Sequence, residues 1–122
     1  MNVMTISKLN EIMRDNDIIL VLIANLKKGS IDELGDKYKL EYTGLLDTLF
    51  GDIERVQALN QSLENQILPQ SWNQGNVKCL VCKPKDDIVI GMFFHEHRDT
   101  VQSYRFCKML NEIVNEKWNS CD

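Results

Sequence analysis

Apolar residues gather in two runs late in the chain, VKCLVC at 77–82 and IVIGMFF at 88–94, separated by the polar connection Lys83-Pro84-Lys85-Asp86-Asp87. β-branched and aromatic residues on both sides of a proline-bearing polar turn predict a hairpin. In the second run Ile88, Ile90, Met92 and Phe94 share one face, and Val89, Gly91 and Phe93 share the other. Neither face suits water, so the pattern predicts a sheet covered by helices on both sides. The first run agrees, with Val77, Cys79 and Val81 on one face and Leu80 and Cys82 as the apolar members of the other. Strands are expected at 77–83 and 88–95. Gly91, an apolar strand position without a side chain, marks the side from which a helix comes closest.

Upstream, TISKLNEIMR at 5–14 places Ile6, Leu9, Ile12 and Met13 at helical spacing behind Thr5 or Ser7 as a cap. Asp15-Asn16-Asp17 breaks this helix, and the run 18–24, apolar on both faces, predicts a central strand of the same sheet. A turn follows at 27–30. Residues 31–40 admit two readings. Ser30 to Glu33 has the form of a capping box, yet Gly35 and Asp36 interrupt any helix, and a short polar edge strand pairing with 18–26 is the other reading.

From 43 to 67 the spacing of Leu46, Leu49, Ile53, Val56, Leu63 and Ile67 predicts one long helix, with Asn60 the polar member of the series. Leu45, Phe50 and Leu59 widen the stripe beyond what one side of a small sheet requires. Either the whole stripe packs on its own sheet, or Leu49, Ile53, Val56, Asn60 and Leu63 form a seam against a second copy of the helix, Asn60 setting the register. Pro69 ends the helix, and 70–76 reads as a polar loop carrying Trp72. Asp99, with Gln102 three positions on, caps a last helix reaching about residue 118, whose face holds Phe106, Met109, Leu110, Ile113 and Val114. The fold class expected is α/β (α+β).

Composition narrows the function classes. A chain of 122 residues suits one domain, and 43% hydrophobic with 26% charged residues is ordinary for a globular protein. The formal charge of −4 comes with no basic stripe, which argues against nucleic acid or anionic membrane and leaves protein as the expected partner. The longest apolar run, 18–24, falls short of the roughly 20 residues of a membrane span, and the first fifteen residues lack a signal-peptide pattern. A cytoplasmic chain with four reduced cysteines is expected.

Cys79 and Cys82 have metal-ligand spacing, and His95 and His97 follow across the hairpin, so a zinc site enters consideration. Residues three apart in a strand point to opposite faces, however, and Leu80 and Val81 do not make a knuckle turn. Buried thiols acting as small apolar groups are the simpler reading. His95 and His97 share a face and can hold a metal as a pair, against the commoner reading of surface histidines beside Glu96. Cys107, after the basic Arg105, is the one candidate nucleophile, with nothing to orient a base beside it. Phosphate-binding and serine-hydrolase signatures are absent from the sequence, and Asp32, Glu33, Asp36, Asp86 and Asp87 sit in polar turn-like segments. Neither catalysis nor a cofactor is expected.

The block KCLVCKPKDDIVIGMFFHEHRDTVQSYRFCKMLNEIV, with its basic-Pro pair Lys83-Pro84 and acidic turn Asp86-Asp87, resembles the C-terminal half of the roadblock and dynein light chain family. Residues 45–68 resemble that family's central helix, and 6–26 its first helix and strand. The resemblance implies a longin- or profilin-like domain: a five-stranded antiparallel sheet, one long helix on one face, and the N- and C-terminal helices on the other. It also implies homodimers or heterodimers formed through the central helix and adjoining strand, no catalysis, and a role as scaffold or regulator of small Ras-like GTPases or motor complexes. Residues 31–42 depart from the family's second strand, and Trp72 with Gln70 and Gln74 has no counterpart role. Two alternatives stand beside this reading: a secretion-chaperone-like protein holding an effector segment, and a metal- or redox-linked sensor using Cys79, Cys82, His95 and His97.

Overall fold

The computed structural model describes residues 3–119. Its strands are β1 (Leu20–Asn25), β2 (Ser30–Gly35), β3 (Gln70–Gln74), β4 (Val77–Lys85) and β5 (Ile88–His95). They form one antiparallel sheet in the order β2-β1-β5-β4-β3. Helices α1 (Val3–Asn16) and α4 (Thr100–Asn119) cover one face, and α2 (Gly44–Phe50) and α3 (Ile53–Ser62) cover the other.

The two-sided burial read from the hairpin is the organising fact of the core. Ile88, Ile90, Met92 and Phe94 meet Leu9, Ile12 and Met13 of α1 and Cys107, Leu110 and Val114 of α4. Val89 and Phe93 meet Leu49, Phe50, Val56, Leu59 and Leu63 from the α2–α3 side. In the middle of the sheet Gly91 stands between Leu22 of β1 and Val81 of β4, and Phe50 closes over it as the missing side chain implied. The N-cap of α4 also matches: Asp99 Oδ1 accepts the backbone N–H of Gln102 at 2.8 Å.

Two elements differ from the sequence expectation, and between them the open reading at 31–40 is decided. The long helix over 43–67 is two helices, because Asp52 adopts extended backbone (φ −153°, ψ 173°) and starts α3 as its N-cap, accepting the Arg55 N–H at 2.8 Å. Arg55 Nη1 then donates to the Asp47 carbonyl at 2.7 Å and satisfies the end of α2, so the junction is capped from both sides. Residues 31–40 resolve to the edge strand β2, paired with β1 from Leu20↔Gly35 to Asn25↔Ser30, followed by a short 3₁₀ turn at Lys37–Lys39. Finally, most of the polar loop at 70–76 is strand β3, paired with β4 from Gln70↔Val81 to Gln74↔Val77. Backbone pairing to the apolar β4 outweighs the low strand propensity of Gln and Asn, and Trp72 supplies the one inward anchor.

Candidate functional site

The seam expected to join two copies is turned inward. Leu49, Val56 and Leu63 are 8%, 0% and 6% exposed, all packed on the chain's own sheet. Ile53 is half-buried, and Asn60 is half-buried with its side-chain oxygen enclosed and meeting no donor among the described residues. The outer side of α3 shows Glu54, Arg55, Gln57, Ala58 and Gln61. The break at Asp52 divides the stripe between two short helices, and α3 ends at Ser62, which leaves Ile67 outside it and 86% exposed. Val56, fully buried, has no outward surface of its own to offer a second copy.

The same layer does present apolar surface at another place. Leu45 and Leu46 of α2 are partly buried beside β3, as is Trp72, all three packed against the core, and the exposed Tyr42 lies against the β3–β4 turn at Gly75. β3 is the end strand of the sheet, so its outer edge has no partner strand among the described residues. An open edge beside incompletely covered leucines is a surface of the kind that pairs with another chain.

The cysteines do not converge with the histidines. Cys79 belongs to the core under α2–α3 and Cys82 to the core under α1–α4, so the sheet separates them, as their spacing in a strand implies. Burial raises the Cys79 thiol well above its ordinary value, with nearby Cys82 adding to the effect. Burial, then neighbouring Cys107, pushes Cys82 up to about 12. Cys107 is also raised by burial, against the lowering influence of Lys78 and Ser103, so it is not an activated thiolate, and Arg105 is exposed. Cys121 lies outside the described residues. His95 and His97 do line one cavity of about 850 Å³, shared with Arg14, Lys39 and Arg98. His95 Nε2 accepts the Glu41 N–H at 3.1 Å, so that lone pair already holds the loop before α2 to the end of β5. A joint metal site of these four residues has no geometry here.

A polar cluster that the sequence reading did not single out lies where α4 crosses β4. Lys78 Nζ donates to Ser103 Oγ at 2.8 Å, and Ser103 Oγ donates to Glu96 Oε2 at 2.7 Å. Glu96 Oε1 accepts the Arg98 N–H at 2.9 Å and Arg98 Nη1 at 3.0 Å. The Arg98 guanidinium lies 3.5 Å from the centroid of the Phe106 ring. One signal was available: Ser103, Cys107, Leu110 and Val114 form a single buried stripe of α4, and a hydroxyl at the head of such a stripe needs a partner. Between this cluster, β3 and residues 67–69 opens a groove of about 710 Å³.

No protein-family model matches the sequence, and no curated protein matches it. Solved structures do match its fold. MglB of Myxococcus xanthus aligns over 97% of both chains with a TM-score of 0.64 at 10% identity. An MglB described in a tetrameric arrangement aligns over 93% of this chain and 89% of its own, with a TM-score of 0.55 at 16% identity. The gliding protein MglB of Thermus thermophilus aligns over 93% and 87%, with a TM-score of 0.56 at 17% identity. With its sheet order and helices on both faces, the chain has the roadblock-like longin fold, and it shares that fold with MglB.

Proposed function

We propose that the chain is a non-enzymatic dimeric scaffold or regulator that engages a small Ras-like GTPase or a complex containing one. The observation that carries this reading is the end-to-end likeness of fold to MglB, over 97% of both chains. The surface adds a physical reason for association. A second copy laying its β3 along the open edge would continue the sheet and cover the exposed Tyr42 together with the part of Leu45 and Leu46 that the core leaves uncovered. A neighbour in a tetrameric arrangement fits a fold that associates with its own kind. The interface proposed is thus β3 with α2, and Ile53 lies in the same outer layer.

The GTPase part is tested by retaining partners on the tagged chain in native lysate supplied with either GDP or a non-hydrolysable GTP analogue. A small GTPase held in near-equal amount, and more strongly with one nucleotide, is the expected result. A secreted effector segment in its place supports the chaperone reading, and loss of nucleotide dependence contradicts GTPase regulation.

A further inference from the structure

We propose that the groove between β3 and α4 is a docking site for an extended segment of a partner protein in which a carboxylate side chain neighbours a large apolar one. The groove exists because α4 crosses β4 but stops short of β3. On that face β3 offers only Ser71 and Asn73, both exposed, opposite Leu80 and Lys78.

The charge inside the groove is unbalanced. Glu96 has both oxygens engaged, by Arg98 and by Ser103, so the one carboxylate lining the groove is already paired. Lys78 and Lys108 also line it, and neither has a carboxylate partner among the described residues. Lys78 gives one of its three N–H donors to Ser103, which fixes the ammonium at the floor with donors remaining. Two lysines lining one groove without a carboxylate ion pair favour an incoming carboxylate.

The walls supply the apolar half of the specificity. Ile67 is 86% exposed and Tyr104 68% exposed, two large side chains facing water at the groove. Fastening α4 to the sheet accounts for Ser103, Glu96 and Arg98. It accounts neither for Lys108 nor for the exposure of Ile67 and Tyr104. The groove lies on the face opposite α2 and α3 and does not rest on the GTPase reading, although it shares β3 with the edge proposed for self-association.

The test is selection of a displayed library of random 12-residue peptides on the immobilised full chain, followed by fluorescence polarisation with the recovered peptides and amide chemical-shift mapping. Expected are sequences with Asp or Glu beside Leu, Ile or Phe, shifts centred on Ser71, Lys78, Tyr104 and Lys108, and at least tenfold weaker binding by the Lys78→Gln, Lys108→Gln double variant. Because Lys78 also holds Ser103, Lys108→Gln alone serves as the second variant, expected to bind at least threefold more weakly at an unchanged thermal midpoint. Recovery of no sequence, of basic or neutral sequences only, or of peptides that shift residues elsewhere overturns the proposal. So does failure of peptides to bind while vesicles containing phosphatidylserine bind through the same two lysines, which assigns the site to an anionic membrane surface.

Discussion

Phe50 of α2 stands directly over Gly91 of β5, its Cζ 2.6 Å from the position a Cβ on that glycine would take. The same ring meets Phe93 edge-on, with centroids 6.0 Å apart and planes at 74°. Gly91→Ala is expected to cost about 1 to 3 kcal/mol in urea unfolding, because a methyl there forces the ring out of a filled site. In a Phe50→Leu background the same change should cost at least about 0.5 kcal/mol less, since the two positions share one volume. Additive effects would show that the contact does not set the spacing between α2 and the sheet.

The sheet and its cover were legible because the hairpin strands carry apolar residues on both faces, a pattern that only a two-sided layer satisfies. Gly91 and Asp99 were legible for a similar reason, since each has a local physical role that few residue types can fill. The break between α2 and α3 was hidden by the heptad-like run of leucines, although Gly51-Asp52 carried a start signal for a new helix. β3 was hidden because its residues are polar and its strand character comes from β4, a partner read only in three dimensions. The inward orientation of Val56 and Leu63 is what the reading with the whole stripe on its own sheet expects; periodicity alone did not decide between that reading and the seam.

Val56→Glu is therefore expected to unfold the chain and not to separate two folded copies. A carboxylate at a position 0% exposed has no partner in the apolar core and costs several kcal/mol. Circular dichroism should show loss of the cooperative thermal transition. Asn60→Leu should act in the opposite direction, raising stability by about 1 kcal/mol as an enclosed oxygen without a donor is removed. A folded Val56→Glu monomer would restore the seam that the burial of this residue argues against.

Glu96 links stability to pH. Burial favours its protonated form, but the Ser103 hydroxyl and the N–H and guanidinium of Arg98 act more strongly together and hold the carboxyl below its ordinary value. The unfolded chain then binds this proton more tightly than the folded one. The stabilisation is complete above the unfolded carboxyl value of about 4.3 and is lost as pH falls through the lower folded value. Glu96→Gln should cost about 1 to 3 kcal/mol at pH 7, the scale of charge-assisted hydrogen bonds, and the gap from wild type should close as the medium becomes more acidic than about pH 4. A gap that stays constant from about pH 7 to about pH 3.5 would contradict this assignment.

The thiols of Cys79, Cys82 and Cys107 should be inert in the native chain. At pH 8 iodoacetamide is expected to leave Cys79 and Cys82 unlabelled, with Cys107 modified slowly, because all three are buried and their thiols are held above the ordinary value. Peptide mass spectrometry after denaturation should find all three labelled at once. Rapid native labelling of Cys79 would mean that β4 opens far more readily than a central strand should.

Sedimentation velocity on the wild-type chain and on the Leu45→Glu, Leu46→Glu variant tests the proposed association most directly. Both leucines are partly buried against the α2–α3 core, so circular dichroism of the variant accompanies the sedimentation to show that it folds, while the substitutions place like charges where two α2 helices would meet across the β3 edge. A dimer at micromolar concentration for the wild type, and a folded monomer for the variant, are the expected results. A wild-type monomer, or a variant that sediments as a dimer, would contradict the β3–α2 interface.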